Sequence, residues 1–160
     1  MRLGHCEPEP LAVARVSPGA SVASRGEGAV VAFGLDLEAG VTAFHGVRDE
    51  RGGCHDLAIQ PTLGYALRLG GLESHQAALG LSFGPSFPPV AFLASAKLLA
   101  GALDGDFAVG VRVGARVSTF LDMLGLELSY QWDRTEVGDW HAFEARLVLD
   151  AGTLLSILLR

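Results

Sequence analysis

FAVGVRVGARVSTFLDMLGLELSYQW, residues 107–132, alternates apolar side chains with small or charged ones. Phe107, Val109, Val111, Val113, Ala115 and Val117 hold one register, and Ala108, Gly110, Arg112, Gly114, Arg116 and Ser118 the other. A period of two is the mark of a strand with unlike faces. After a turn near Asp122 the pattern resumes, with Leu124, Leu126, Leu128, Tyr130 and Trp132 set against Gly125, Glu127, Ser129, Gln131 and Asp133. Each run is about a dozen residues, whereas strands of soluble domains average about five or six and a tilted strand crossing a bilayer needs about 9–11. The two runs together predict a membrane-spanning β-barrel.

Composition agrees. The chain has 160 residues, 49% hydrophobic and only 19% charged, with a mean hydropathy of +0.34. That is apolar for a soluble domain of this size. No stretch reads as a transmembrane helix: the longest charge-free run, residues 74–96, contains Pro85, Pro88 and Pro89 with Gly80 and Gly84, and proline breaks helix interiors. The 21 glycines suit turns and a crowded interior face. No linker divides the sequence, so a single domain is expected over 1–160. It comprises an N-terminal extension (1–12), barrel strands (13–151) and an apolar C-terminal strand or tail (153–160). A net charge of −6 with scattered basic residues argues against a nucleic-acid partner.

Eight alternating segments follow: Val13–Val22, Ala29–Phe44, Leu57–Leu69, Gln76–Ser86, Val90–Ala102, the pair described above, and Trp140–Ala151. Two are irregular. Pro18 is awkward inside a ladder because it donates no hydrogen bond. In Val90–Ala102, Leu93 and Leu99 share the face of Ser95 and Lys97, and an Ala/Leu-rich stretch could equally be helical. Gly70-Gly71 and Asp104-Gly105 between alternating runs are hairpin signals, and consecutive hairpins build an up-and-down meander that closes without edges. The segment 153–160 either extends the last strand past a bulge at Gly152 or forms a short ninth element.

The bulky register (Leu, Val, Phe, Tyr) suits a lipid-facing belt, and the register of Gly, Ala, Ser and Thr suits a narrow interior. Aromatics gather near segment ends, with Phe44, Phe83, Phe87 and Phe92 toward one rim and Phe107, Tyr130, Trp132 and Trp140 toward the other. The fold class expected is therefore all-β, an antiparallel up-and-down transmembrane β-barrel of eight strands. In this pattern, over roughly Val13 to Ala151, the chain resembles the small eight-stranded outer-membrane β-barrel proteins of Gram-negative envelopes. The resemblance implies an outer-membrane location, with both termini on the periplasmic side. Residues 1–10 include Glu7 and Glu9 and show no apolar h-region. The chain ends on Leu159-Arg160, where such barrels typically finish on an aromatic residue.

The candidate lumen face collects Arg15, Asp36, Glu38, Arg68, Lys97, Arg112, Arg116, Glu127, Glu144, Arg146 and Asp150. Six cations against five anions nearly cancel, and buried charges must be paired. A salt-bridged plug is the expectation, with a solute path along the charges as the alternative. Cys54-His55-Asp56 lacks the second ligand pair of a structural zinc site, and no cofactor motif or nucleophile elbow is found. If the N-terminus is periplasmic, Cys6 and Cys54 lie at one rim and could form a disulfide. The leading reading is a structural or passive, non-enzymatic barrel, favoured as a monomer, with the lipid bilayer as its partner. The alternatives are a soluble lipocalin-like barrel binding an apolar small molecule, a small channel, or a lipid-modifying enzyme using His141 and Ser129.

Overall fold

The computed structural model describes residues 5–6, 11–26, 28–48, 54–87, 89–119, 123–152 and 155. Eight long strands form the wall: β2 (Leu11–Ser24), β3 (Ala29–Arg48), β4 (Cys54–Gly70), β5 (Ser74–Phe87), β6 (Val90–Leu103), β7 (Asp106–Thr119), β8 (Leu124–Thr135) and β9 (Gly138–Asp150). A two-residue strand, β1 (His5–Cys6), adds to β3 at Val47 and Gly46 within the expected N-terminal extension. From β2 to β9, neighbours in sequence pair antiparallel, and β9 pairs back onto β2, so the sheet closes. Each of the eight expected segments lies within one wall strand, Val90–Ala102 included, apart from the last residue of the eighth, Ala151. Leu93 and Leu99 face the interior and are buried there, which removes the apparent conflict in that segment's two faces.

Register defines the geometry. Val13 pairs with Gly40, and the partners then run through Thr62, Gly80, Lys97, Arg112, Gln131 and Ala142 back to β2 at Ala23. One circuit thus climbs from residue 13 to residue 23, a stagger of ten residues. With standard strand rise and spacing, that stagger over eight strands tilts them about 40° from the axis. The wall is narrow, and its interior is filled by side chains.

Proline is accommodated on one side of its strand at a time. The β2–β9 ladder breaks at Ser17 and Pro18 while the β2–β3 ladder runs through them. Pro61 interrupts β3–β4 but not β4–β5, and Pro85 interrupts β5–β6 but not β4–β5. The missing N–H is thereby confined to a single seam.

Both ends of the chain's wall strands, Leu11 and Asp150, lie at one rim, called here the terminal rim. The opposite, hairpin rim has connections of only four, three, two and two residues. Asp104 and Gly105 both have positive φ, 52° and 88°, as a two-residue type I′ hairpin requires. Past β9 the chain leaves strand geometry, since residues 151, 152 and 155 are helical. The expected strand extension beyond Gly152 is therefore not formed by these residues. The Asp150 carboxylate accepts from Gly152 N at 2.9 Å and from Ala14 N at 3.2 Å, which caps the helical turn and ties it to β2. The rest of 153–160 lies outside the described residues.

Gly110 makes the narrow wall possible beside β8. A Cβ there would stand 2.1 Å from Asp133 Oδ1 and 2.7 Å from Trp132 O. Gly110→Val is expected to lower unfolding free energy by about 1–3 kcal/mol through overpacking, measured by urea titration in detergent micelles.

Candidate functional site

The faces sort as the alternation requires. Phe33, Leu63, Leu98, Leu126, Leu128 and Phe143 are exposed on the outside, with Phe33 at 70%. All eleven expected lumen charges, Arg15, Asp36, Glu38, Arg68, Lys97, Arg112, Arg116, Glu127, Glu144, Arg146 and Asp150, are buried. Asp133 joins them at 2% exposure. Among the described residues the interior thus holds six buried cations and six buried anions. Gln60, Gln76 and Gln131 add neutral donors and acceptors between them.

The charges interlock in layers. Nearest the terminal rim, Arg15 Nε donates to Asp150 Oδ2 at 3.0 Å and its Nη2 to Gln60 Oε1 at 2.6 Å. Gln60 Oε1 also accepts from Arg116 Nη2 at 2.6 Å. At mid-height Lys97 pairs with Glu38 and lies 3.9 Å from Asp36 and 3.7 Å from Glu127. Arg112 pairs with Asp36 and reaches Glu144 at 3.1 Å and Gln131 Oε1 at 2.8 Å. Arg146 pairs with Glu144 and lies 3.5 Å from Asp36. Arg68 pairs with Glu144 and donates to Gln131 Oε1 at 2.5 Å. Toward the hairpin rim, Gln76 Nε2 donates to Asp133 Oδ1 at 2.8 Å and Gln131 Nε2 to Asp133 Oδ2 at 2.5 Å.

An apolar layer lies at the hairpin end of this charged column. Ala23, Ala32, Leu72, Leu103, Ala108 and Ala142 cluster under the hairpin rim with Trp140 and Val30 packed on them, and Arg25 sits 5.5 Å over the Trp140 ring. Toward the terminal rim, buried Val13, Ala58, Ala91, Leu93 and Val148 are interspersed with buried Thr42, Ser118, Arg15 and Asp150. Beside Gly19, Gly34, Arg68, Glu144 and Arg146 the interior has no room for a water-sized sphere. Removing one partner from such an interior leaves an uncompensated charge, which costs far more than the intact pair contributes.

This arrangement corrects two of the alternatives. A lipocalin-like barrel needs an apolar inner face, yet here the apolar face is outside and the bore is filled with charge. A His141/Ser129 pair does not converge. Ser129 is buried inside, accepting from Arg146 and hydrogen-bonded to Glu144, whereas His141 is outside with its Nδ1 on the Tyr130 hydroxyl. The side chains of Cys6 and Cys54, and of the Cys54-His55-Asp56 run, lie outside the described residues. Backbone register puts Cys6 opposite Gly46 and Cys54 opposite Arg48, on strands flanking β3 from its two sides.

A closed eight-stranded meander, apolar outside and charge-paired within, has the architecture of a transmembrane β-barrel. No protein-family model matches the chain, nor does any curated protein sequence. Among solved structures it is similar to Neisserial surface protein A, at 15% identity over 89% of this chain and 99% of that one, with a TM-score of 0.44. It is also similar to Ail, the attachment invasion locus protein of Yersinia pestis, at 7% identity over 88% and 98%, with a TM-score of 0.36.

Proposed function

We propose that this chain is an integral barrel of the bacterial outer membrane with a structural or passive role, and that its lumen does not conduct. The inverted distribution of side chains supports this reading: a continuous exposed apolar exterior around twelve buried, mutually compensated charges. An exterior of that kind is soluble only in a bilayer or detergent. The apolar layer under the hairpin rim, and an interior without water-sized space beside Gly19, Arg68, Glu144 and Arg146, support a lumen that does not conduct. The short hairpin-rim connections offer little surface for adhesion. The bilayer is then the principal partner, and the chain acts as a monomer without catalytic chemistry.

The test is a boiled and unboiled gel pair on protein refolded into micelles and into plain buffer, followed by planar-bilayer recording. A faster unboiled band that forms only with detergent, and a bilayer that shows no discrete conductance steps after insertion, are the expected results. Monodisperse protein in plain buffer would overturn the membrane assignment. Stable unitary steps would overturn the closed lumen.

A further inference from the structure

The wall is not held together evenly. Among its eight strands, β2 and β9 alone meet without being consecutive in the chain, so hydrogen bonds and packing close that seam unaided by a hairpin. Its ladder is in two pieces. The longer runs from Gly19 paired with Arg146 to Ser24 paired with His141, and the shorter holds only Arg15 with Asp150 and Val16 with Leu149. Between the pieces, Ser17 and Pro18 face Val148 and Leu147 without a ladder pair. Proline has no N–H to give, and Pro18 stands midway along β2. The other two interruptions lie close to the terminal rim. That of β3–β4 is level with the first residues of β2, since Thr42 and Val41 pair with Leu11 and Ala12, and that of β5–β6 is beside the turn after Phe87. Just above the β2–β9 gap, Ala20 meets Ala145 on the outer face, so little side-chain packing reinforces it.

Below the gap the backbone cannot lengthen the shorter piece, because residues 151 and 152 are helical. The Asp150 carboxylate takes over there. One oxygen accepts from Ala14 N at 3.2 Å and Gly152 N at 2.9 Å, and the other accepts from Arg15 Nε at 3.0 Å. Gly152 is drawn against the same strand, where a Cβ on it would stand 2.5 Å from Ala12 O. Both strands are meanwhile fully paired on their other sides, β2 to β3 from Leu11 to Ser24 and β9 to β8 from Gly138 to Leu149.

We propose that the β2–β9 seam is the line along which the wall parts, opening locally between Pro18 and the terminal rim, with Asp150 as the clasp that holds this stretch shut. Opening frees one edge of β2 and one of β9 while each strand keeps its complete ladder to its other neighbour. The pairs of Arg68 and Arg146 with Glu144 lie on the hairpin side of the gap, so the centre of the charged column stays assembled. Segments with few ladder bonds open at lower free energy than the global transition, and amide exchange reports that difference.

The test is hydrogen–deuterium exchange of the full-length chain folded in micelles, read by mass spectrometry of its peptides. Residues 13–18 and 146–150 are compared with residues 92–96 and 113–117, which the register places at the same distance from the terminal rim on β6 and β7. The seam peptides are expected to exchange first. Asp150→Ala should speed them by about tenfold, the least that a hydrogen bond to a charged group is worth, and leave the β6 and β7 peptides at their original rate. Pro18→Val returns an N–H to the gap and should slow the seam peptides toward the β6 and β7 rate. Pro18 is uncharged and exposed, so this second variant reads the seam even where Asp150→Ala fails to fold. Seam peptides no faster than those of β6 and β7, an Asp150→Ala effect spread evenly around the wall, or seam exchange unchanged by Pro18→Val would each overturn the proposal.

Discussion

Arg112→Met is expected to lower the unfolding free energy of the micelle-bound barrel by about 3–5 kcal/mol, the range for stripping one partner from a buried ion pair. Arg112 is 1% exposed and serves three groups at once, pairing with Asp36, lying 3.1 Å from Glu144 and donating to Gln131 at 2.8 Å. Methionine fills comparable space but leaves Asp36 with Lys97 at 3.9 Å and Arg146 at 3.5 Å as its remaining cations. The readout is urea unfolding followed by fluorescence of Trp132 and Trp140. Adding Asp36→Asn should recover part of the loss, because the stranded charge disappears with its partner. A loss below about 1 kcal/mol, typical of solvated pairs, would mean that water screens the interior and that the bore is wet.

The second large effect lies on the outside. Leu98 is 59% exposed, midway along β6 between Leu79 and Val111. In a bilayer, Leu98→Arg should cost about 2–4 kcal/mol, and Phe107→Arg, one residue inside the hairpin rim, only about 0–1 kcal/mol. The depth dependence is the informative quantity. A water-facing wall would tolerate both substitutions equally, so matched stabilities of the two variants in phospholipid vesicles would contradict the lipid-facing assignment. A graded loss fixes the belt's centre near Leu98.

Much of this was legible in the alternation. Two registers of opposite character placed every lumen charge inside, and parity alone puts Asp133 with Glu127 and Gln131, completing a balance of six and six that the shorter charge inventory missed. What alternation does not carry is who meets whom. Arg68 finds Glu144 across 76 residues of sequence, because closure and a ten-residue stagger bring the inner faces of β4 and β9 together. Leu72 reads as part of a Gly-rich turn, yet it is 1% exposed, since the turn folds its side chain into the mouth. The three prolines look like strand breakers in a linear reading; they are tolerated because each breaks one ladder and leaves the other whole. Ala20 stands opposite Ala145, a pairing between the first and last wall strands that no local pattern announces.

The interlocked interior also constrains how such a barrel can come into being. Lys97 on β6 meets Glu38 on β3, Arg112 on β7 meets Asp36 on β3, and Arg68 on β4 meets Glu144 on β9. None of these partners is a hydrogen-bonded neighbour in the wall. A half-built sheet lying in the bilayer would turn all of these charges toward hydrocarbon with nothing to answer them. Curling up must therefore accompany insertion, and the late arrival of β9 beside β2 is the step at which the inner face first becomes tolerable to the membrane around it.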